Sequence, residues 1–369
     1  MKPMISTVIR TSRGFALAAS TLLFASAAFA ETDPAVVSAA KDFVAKASVA
    51  PTAWTGPTSA PAPTKGKKVT LISCLQASDC ALDAAAMADA AKTIGWEPTI
   101  VDGKGDVAVY NASIRSAVNA GTNGIINIAL PAPLIQDGLR FAADKKVPVV
   151  SAANIAPNDP LIEGSVEHRW ADQANMLVQW MIADSNGKAG FVLLRDDEFQ
   201  GIKARGDGVA DALKKANCAD CKMLADPNLS VMVFINQTQM AQQVQSLVAR
   251  YGADLKYIVT PYGSVDGFIV PVLKSLNRTD IKVVSYDGNK QQLQLCQEGG
   301  VGAIAVTLHT WAGWAAIDQL NRVFNGAPPA SENAPTFLAT SATCTGDNLA
   351  EDMSKFDFKS EYKKLWGVK

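Results

Sequence analysis

The chain alternates short apolar runs with amphipathic segments, and this alternation constrains the fold more than any other feature of the sequence. The runs KVTLIS (68–73), PTIVD (98–102), GIINIAL (124–130) and VPVVSAA (147–153) are strand-like, and a segment with helical periodicity separates each from the next. Strands that are joined by helices form βαβ units, in which the strands are parallel. We therefore expect an α/β fold built on a parallel sheet.

The same alternation resumes after a break near residues 154–170. The strand-like runs of this second half are AGFVLLR (189–195), LKYIVT (255–260), KVVSYD (282–287) and VGAIAVTL (301–308). With 369 residues, 48% of them hydrophobic, the chain is long enough to bury two cores. Two α/β domains of similar plan are predicted.

The first thirty residues are typical of a secretory signal peptide. Lys2, Arg10 and Arg13 precede an apolar run that ends in Ala-Phe-Ala, and the expected cleavage site follows Ala30. The run is shorter than the roughly 20 residues that a membrane span requires, and no later segment qualifies, so we expect no span in the mature chain. Residues 31–65 combine a short helical stretch with a proline-rich one and are predicted to be an N-terminal extension that lies on or tethers the domain.

The chain contains six cysteines, all downstream of the predicted signal peptide, which fits an oxidising compartment. Six cysteines can pair in many ways. We expect pairing in sequence order: Cys74 with Cys80, Cys218 with Cys221, and Cys296 with Cys344. A redox-active CADC motif is the alternative for the second pair, but Cys218 follows a helical run and does not open a helix, so nothing would lower its pKa. No second pair of ligands accompanies the motif, so no metal site is expected.

Charge and motifs exclude several classes of function. A formal net charge of −1 gives no electrostatic basis for binding nucleic acid or an anionic membrane surface. The two histidines are His168 and His309, and the sequence lacks the nucleophile elbow, the zinc-protease helix motif and the phosphate-binding loop. We expect no catalytic residues and no cofactor. A secreted hydrolase that uses one of the two histidines is the enzymatic alternative.

Polar and aromatic residues follow the carboxyl ends of the predicted strands. Ligands of open α/β sheets bind at this edge, so these residues are candidates for a cleft. The candidates are Gln76, Ser78, Asn154, Asp196, Asp197, Tyr262, Asp287 and Asn289. Taken singly, each could equally be a helix cap or a turn former, because Asp, Asn and Ser favour these positions.

Several segments resemble the type I periplasmic binding proteins of ABC transporters, in the branch that binds ribose. The similarity covers roughly residues 67–330, and its most specific part is VVSYDGNKQQLQLCQEGGVGAIAV (283–306), in which an apolar strand leads into Tyr-Asp-Gly and then into a second strand preceded by glycine. Gene regulators share this core but carry a helix-turn-helix ahead of it. A predicted signal peptide stands there in this chain, so a gene regulator is not expected.

The resemblance implies two Rossmann-like lobes with parallel sheets, the type I periplasmic binding protein fold, and a ligand cleft between them. The chain is expected to cross between the lobes near residues 165–168, near 304–309 and after 330. The implied N-terminal lobe is 66–166 plus 309–335, and the implied C-terminal lobe is 167–308 plus 336–369.

The resemblance also implies roles for individual residues. Asp287 matches the cleft aspartate that accepts hydrogen bonds from ligand hydroxyls, and Arg205 in ARGDG matches the arginine that donates to ligand oxygens. His309 lies just beyond the position of a family glutamine and completes the candidate ligand-binding set. Such planar groups pair directionally with vicinal hydroxyls. We expect Asp287→Ala to abolish binding and to leave the fold intact, since the acceptor would belong to the cleft and not to the core.

Three departures from the ribose-binding pattern predict a site that is less charged and more aromatic. They are Ala153-Asn154 in place of Asp-Arg, Tyr262-Gly263 in place of Asn-Asp, and Thr307 or Leu308 in place of glutamine. Tyr262, His309 and Trp311 could stack on a ligand ring, although packing in the hinge and core explains Trp311 equally well. His168, beside the first crossing, is predicted to be a hinge residue.

We therefore expect a monomeric periplasmic solute-binding protein without enzymatic activity. It would capture a small polar ligand, with a sugar or polyol preferred, by lobe closure and deliver it to an ABC transporter permease in the inner membrane. One alternative ligand is a small aromatic or less hydroxylated compound. Another alternative is a ligand sensor that docks on a membrane kinase.

Overall fold

The computed structural model describes residues 1, 4, 31–155, 158–344 and 355–369, so the predicted signal peptide lies almost entirely outside the described residues. The chain divides into two compact units, Met1–Glu31 and Thr32–Lys369, and the second contains all the helices and strands described below. Within the described ranges, no helix has the length and apolar character needed to cross a membrane.

The first sheet has five strands, all parallel. They are β1 (Lys68–Ser73), β2 (Glu97–Asp102), β3 (Gly124–Ile128), β4 (Val149–Ala152) and β5 (Gly164–Val166), in the spatial order β2-β1-β3-β4-β5. Its helices are α2 (Ser78–Thr93), α3 (Val107–Asn119), α4 (Gln136–Asp144) and α11 (His309–Phe324). The central strands are buried along most of their length because helices cover both faces, as a parallel sheet requires. These elements form the first lobe.

The second sheet has six strands and its own helices, and these elements form the second lobe. The strands are β6 (Gly190–Leu193), β7 (Lys222–Ala225), β8 (Tyr257–Val259), β9 (Lys282–Asp287), β10 (Val301–Thr307) and β11 (Thr336–Thr340), in the order β11-β10-β9-β8-β6-β7. The helices are α5 (Trp170–Asp184), α6 (Gln200–Lys215), α7 (Val231–Phe234), α8 (Gln237–Tyr251), α9 (Asp266–Ser275) and α10 (Lys290–Gln297).

Strand β11, at the edge of the second sheet, pairs antiparallel with β10, whereas the other named strands pair in parallel as expected. The sequence pattern did not predict this strand. The chain reaches it from α11 of the first lobe and not through a βαβ crossover, so nothing requires it to run parallel to its neighbour. An antiparallel edge strand on an otherwise parallel sheet is common in α/β folds.

The chain passes between the lobes at short connections. Residues 167–169 join β5 to α5, Leu308 joins β10 to α11, and residues 325–335 join α11 to β11. These connections lie close to the three expected crossings. His168 and His309 therefore lie at two of the crossings, each two residues after the carboxyl end of a strand, with their ring centroids 5.6 Å apart.

The C-terminal helix α12 (Phe358–Trp366) lies on α11 of the first lobe. The rings of Trp366 and Trp314 stack with their centroids 5.4 Å apart, and the indole nitrogen of Trp366 donates to Asp318 at 2.6 Å. Of the segment 336–369, which is expected in the C-terminal lobe, β11 pairs with β10 of the second sheet, whereas α12 packs on α11 of the first lobe. The apolar face of this helix is buried by aromatic residues of the first lobe.

The N-terminal extension contacts elements of both lobes. Helix α1 (Pro34–Ala47) packs on α5 of the second lobe. Further along, the ring of Trp54 stacks on Trp311 of α11 at 5.5 Å and meets Tyr362 of α12 edge-on at 4.9 Å. The side-chain amide of Asn321 donates to the carbonyl of Pro61 at 2.7 Å. Residues 32–65 thus run along the surface from the second lobe to the first.

Three disulfides are present, and they are the pairs expected from sequence order. Cys74–Cys80 joins the end of β1 to the first turn of α2, and Cys218–Cys221 closes the turn after α6. Cys296–Cys344 connects α10 to the segment after β11. No free cysteine occurs in the part of the chain that the structure describes.

Candidate ligand-binding site

Asp287 ends β9 with an unusual backbone conformation. Its φ is +83°, a region that residues other than glycine seldom adopt, and Gly288 follows with a φ of +95°. The side-chain oxygen of Gln292 accepts hydrogen bonds from the backbone N–H groups of Gly288 and Asn289 at 2.9 and 3.1 Å. Backbone strain of this kind concentrates at functional sites. The loop is thus held in a fixed conformation that directs the Asp287 carboxylate to the edge of the sheet.

The Asp287 carboxylate is fully engaged by protein groups. Arg205 donates to both of its oxygens, Gly263 donates its backbone N–H at 3.0 Å, and Thr307 donates its hydroxyl at 3.3 Å. Arg205 also donates to the carbonyl of Pro261 at 3.0 Å. Burial would raise the pKa of Asp287, but the Arg205 guanidinium and the neighbouring hydrogen bonds lower it to about 2. This carboxyl group is therefore ionised at neutral pH.

Two aromatic rings flank the Arg205 guanidinium. Its central carbon lies 5.1 Å from the ring centroid of Trp170 and 4.4 Å from that of Tyr286. Such cation–π contacts stabilise a cation that has lost its water. Trp170 is the first residue of α5 and Tyr286 precedes Asp287, so the packing joins the first crossing to the end of β9.

Asp83 on α2 lies against both histidines. Its Oδ1 lies 2.9 Å from Nδ1 of His309, and its Oδ2 lies 4.0 Å from Nε2 of His168. Burial lowers the pKa of His168 to about 4, so this ring is neutral. Burial also opposes the charge on His309, but Asp83, Asp287 and Asp79 outweigh it and raise that pKa to about 9. His309 is therefore protonated, and its second nitrogen, Nε2, lies 3.8 Å from Asp287 Oδ1.

The Asn289 side chain, which follows β9 of the second lobe, contacts α2 of the first lobe. Its side-chain nitrogen lies 3.5 Å from the Ser78 hydroxyl and 3.5 Å from Asp79 Oδ1, both on α2. Burial and the charge of Asp287 raise the pKa of Asp79 to about 7, against the opposing effects of His309 and Arg205. The first turn of α2 thus presents a carboxyl group directly to the end of β9.

Five buried side-chain atoms around the Arg205–Asp287 pair have no hydrogen-bond partner among the described residues. They are the donors Arg205 Nε, His309 Nε2 and Trp170 Nε1, and the acceptors Asp79 Oδ2 and Gln173 Oε1. Gln173 belongs to this group through its amide nitrogen, which donates to Thr307 at 2.8 Å. Buried polar atoms are nearly always paired in native proteins, so a group of five makes this cluster a candidate ligand site.

The structure brings five of the eight predicted ligand-binding residues together. These are Ser78, Arg205, Asp287, Asn289 and His309, which contact one another or share partners. Tyr262 lies at the margin of this cluster, where its hydroxyl group donates to Asp196 at 3.4 Å and its ring packs edge-on against Phe234.

Gln76 and Asn154 lie apart from the cluster. The exposed Gln76 side chain donates to Asp102 at 2.7 Å, at the edge of the first sheet. Asn154 is buried, but its side-chain oxygen accepts from the N–H of the next residue at 3.0 Å, which makes it a local turn former. Asp197, also considered at a strand end, pairs with Arg195 at 3.0 Å.

Trp311 is a core residue, so of the two interpretations left open for it the structure supports core packing. Its ring stacks between those of Trp54 and Phe358, at centroid distances of 5.5 and 5.0 Å, and it is fully buried. Because Trp311 is in the first turn of α11, two residues after His309, its side chain leaves the helix on a different face from His309.

The cluster also contains acidic residues outside the three positions at which the sequence departs from the ribose-binding pattern. Asp79 and Asp83 are four residues apart on α2 and therefore share one helical face, which is directed at the end of β9. The spacing of Asp79 and Asp83 is visible in the sequence, but the site candidates were sought only after strand ends and in segments that resemble the family. Trp170 and Gln173 were missed because helix α5 was not predicted. Both residues belong to the first turn of that helix, beside the first crossing.

Gly263 has a steric reason to stand where the ribose-binding pattern has an acidic residue. A Cβ atom at this position would lie 2.0 Å from the side-chain oxygen of Gln292. Glycine therefore allows Gln292 to reach the Asp287 loop, and the Gly263 N–H then donates to Asp287.

The contacts of Asp287 also correct the expected effect of its substitution. The exposed fraction of its side chain is 2%, and the carboxylate neutralises Arg205, which is equally buried. Removing the carboxylate would leave a buried cation without its partner, at a cost of about 3–5 kcal/mol. Asp287→Ala is therefore expected to destabilise the fold as well as any bound state.

A groove of about 470 Å³ runs between the lobes beside α6. It is lined by Pro133, Ile155, Asn158 and Asp159 on the first lobe and by Gln200, Lys203, Ala204 and Asp207 on the second. Ala204 adjoins Arg205 in the sequence, so this groove lies on the solvent side of the helix that carries the arginine.

Comparison with solved structures finds the same fold in solute-binding proteins. An ABC transporter solute-binding protein from Agrobacterium vitis with bound allitol has a TM-score of 0.64 and 18% identity, over 76% of this chain and 97% of that one. One from Mycobacterium smegmatis with bound glycerol has a TM-score of 0.66 and 20% identity, over 76% and 96%.

The arabinose-binding component from Shewanella sp. ANA-3, bound to L-arabinofuranose, has a TM-score of 0.66 and 16% identity, over 81% of this chain and 95% of that one. At these identities the likeness shows the fold. Comparison with curated protein sequences finds no match. Comparison with protein families matches residues 80–328, more than half of the chain, to the family described as periplasmic binding protein domain. The chain is therefore a member of the periplasmic binding protein domain family.

Proposed function

We propose that this protein captures a small polyhydroxylated molecule, a sugar or a polyol, between its two lobes and delivers it to an ABC importer. The observation that carries the proposal is the group of five unpartnered buried atoms around Arg205 and Asp287. Three of them are donors and two are acceptors. A hydroxyl group both donates and accepts, so a ligand with several hydroxyls satisfies both kinds of atom.

The pairing of Arg205 with Asp287 favours an uncharged ligand at this part of the cluster. The guanidinium and the carboxylate neutralise each other. A charged ligand beside them would disturb this pair in a place with little water, where electrostatic energies are large. The allitol, glycerol and arabinofuranose of the structural neighbours are uncharged polyols and sugars, and they support the same ligand class.

Lobe closure is the proposed mechanism. Asp79 belongs to the first lobe, Arg205 and Asp287 belong to the second, and Trp170 and His309 adjoin the crossings. A ligand that contacts all of them stabilises the closed arrangement by the difference between its contacts with the closed and the open forms. The protein itself performs no chemistry in this account, and it acts as a monomer.

The periplasm is the proposed location, and an inner-membrane permease is the proposed partner. The family, the predicted signal peptide and the three disulfides support this location. The family, and the fold shared with solute-binding proteins of ABC transporters, support delivery of the ligand to a permease.

The proposal is tested by thermal-shift measurements on untagged protein purified from the periplasm. The ligands are pentoses, hexoses, sugar alcohols and small aromatic acids. A ligand at about 100 times its dissociation constant adds about 2.7 kcal/mol of stability, which raises the Tm by a few degrees. We expect a shift with a sugar or polyol. A shift with aromatic acids alone, or with none of these compounds, contradicts the proposal.

Two matched glutamine variants locate the binding site. Gln173→Met removes an unpartnered acceptor from the cluster, whereas Gln76→Met changes an exposed glutamine outside it. We expect the ligand-induced shift to fall in Gln173→Met and to persist in Gln76→Met. Equal shifts in the two variants would place the ligand elsewhere.

A further inference from the structure

Asp83, His168 and His309 form a compact group at the inner end of the cleft. One ligand atom of each residue lies within 4.8 Å of the corresponding atoms of the other two. The three residues are 3%, 8% and 5% exposed. They come from α2 and from two separate crossings, so no spacing motif in the sequence reveals them. A carboxylate oxygen and two imidazole nitrogens are ligands that Zn²⁺ prefers.

The distances are close to those of a tetrahedral metal site. Ligand atoms about 2.0 Å from a zinc ion at tetrahedral angles lie about 3.3 Å apart. The Asp83 carboxylate lies 2.9 Å from His309 Nδ1 and 4.0 Å from His168 Nε2. The first distance is slightly short and the second slightly long, and all three ligand atoms lie within 4.8 Å of one another. At 4.0 Å the second pair is beyond hydrogen-bond distance, which leaves His168 Nε2 directed at a carboxylate that it does not bind.

The placement of the imidazole nitrogens also suits coordination. Nδ1 of His309 lies 2.9 Å from the Asp83 carboxylate, so a metal ion bound between them would have both atoms as ligands. In that arrangement Nε2 of His309 remains a donor, and Asp287 Oδ1 lies 3.8 Å from it. A carboxylate beside the second nitrogen of a metal-bound histidine is the usual supporting contact of such sites.

Acidic residues lie around the group. Asp83 is one of the proposed ligands, and Asp79 and Asp287 lie beside it in the cluster. Arg205 pairs with Asp287, whereas Asp79 and Asp83 form no ion pair with an arginine or lysine in the described part of the chain.

We propose that Asp83, His168 and His309 bind one divalent transition-metal ion, with Zn²⁺ as the best match. The ion would join α2 to both adjacent crossings and so fix the base of the cleft. Three protein ligands leave one position of a tetrahedron open. This inference does not depend on the class of ligand that the cleft binds.

Zinc titration of the untagged protein tests the site. The protein is treated with a chelator, dialysed and titrated with ZnCl₂ in a calorimeter, with MgCl₂ as the reference ion. The background is low because the chain has only two histidines and its described cysteines are all in disulfides. We expect one equivalent of Zn²⁺ to bind and Mg²⁺ to give no saturable heat. The absence of saturable Zn²⁺ binding by the wild type would overturn the proposal.

Variants identify the ligands. His168→Gln and Asp83→Asn each remove one ligand, while Asp89→Asn changes an acid on the same helix that pairs with Lys359 outside the cluster. We expect Zn²⁺ affinity to fall at least about tenfold in the first two and to be unchanged in the third. Circular dichroism checks that each variant is folded, and the visible spectrum of the Co²⁺-substituted wild type reports tetrahedral coordination independently. Unchanged affinity in His168→Gln, or an octahedral Co²⁺ spectrum, would overturn the proposal.

Discussion

Arg205 and Asp287 form a buried ion pair in which the guanidinium donates to both carboxylate oxygens. The exposed fractions of the two side chains are 3% and 2%. The pair joins α6 to the end of β9 and lies between the rings of Trp170 and Tyr286. The same residues therefore stabilise the second lobe and form one wall of the candidate site.

Replacing one residue of this pair leaves the other buried and unpaired. The stability losses of the two single variants should therefore not add in the double variant. Asp287→Asn and Arg205→Met each leave one buried group without its partner, so each should reduce the free energy of unfolding by about 3–5 kcal/mol. The double variant leaves no unpaired charge, and its loss should be clearly smaller than the sum of the two single losses. Urea unfolding of the four proteins measures this coupling. Additive losses would show that the two residues do not act as a pair.

The stability of the second lobe should depend on pH through Asp266. This side chain is fully buried, and burial together with the charge of Asp287 raises its pKa to about 7, although Gln292, Ser285 and Thr260 donate hydrogen bonds that oppose the shift. The folded state therefore binds this proton more tightly than the unfolded state. Its contribution to stability is complete below about pH 4 and is lost as the pH rises to about 7.

Comparison with Asp266→Asn isolates this effect, since the variant cannot titrate at that position. The stability of the wild type relative to the variant should decrease with pH between about 4 and 7, by at most about 1.4 kcal/mol per pH unit, and should then become constant. Urea unfolding at several pH values gives the difference. A difference that does not vary with pH would contradict the raised pKa.

Gln292 should matter more than its helical neighbours because it fixes the loop that carries Asp287. Its oxygen accepts from two backbone N–H groups, and its nitrogen donates to Asp266 at 2.7 Å and to the carbonyl of Tyr286 at 2.8 Å. Gln292→Leu leaves several buried polar groups unpaired, and each unpaired group lowers the free energy of unfolding by about 1–3 kcal/mol. We therefore expect the variant to lose at least about 3 kcal/mol of stability. Gln294→Leu, at an exposed position of the same helix, serves as the control and should change stability by less than about 0.5 kcal/mol.

Trp54 should anchor the N-terminal extension to the first lobe. Its ring stacks on Trp311 and contacts Tyr362, and its indole N–H donates to the carbonyl of Pro57 at 2.9 Å. Trp54→Ala should lower the free energy of unfolding by about 2 kcal/mol, since the side chain is only partly buried. Val49→Ala, at a side chain that is 66% exposed, should have little effect. Equal midpoints of urea unfolding for the two variants would argue against an anchoring role.

The strands of the central sheets were predictable because each is a short apolar run between polar residues. The predicted strands 68–73 and 282–287 have the same bounds in the structure. Helix α5 was not predicted, because it is buried on most of its surface between the second sheet, α1 and α6, and therefore lacks a continuous polar stripe. β5 and β11 are short and depend on pairing with neighbours that are distant in sequence.

The candidate site was only partly predictable for a related reason. Arg205 and Asp287 could be found because they belong to segments that resemble a family pattern. Asp83 and His168 have ordinary sequence neighbours, and they become a cluster only when α2 and the two crossings meet in the fold. The ion pair between Arg205 and Asp287 was missed because both residues were considered as ligand contacts and not as partners.

The central claim is that a polyhydroxylated ligand is held between the lobes at Asp79, Arg205 and their neighbours. The most direct test is a calorimetric titration of the untagged protein with the sugar or polyol that gives the largest thermal shift. The comparison uses Asp79→Asn, which alters an unpartnered acceptor on α2, and Asp89→Asn, which alters an acid on the same helix outside the cluster. We predict binding of one ligand per chain by the wild type and by Asp89→Asn, with affinity at least about tenfold lower in Asp79→Asn. Equal affinity in the three proteins, or no binding of any sugar or polyol, would contradict the account.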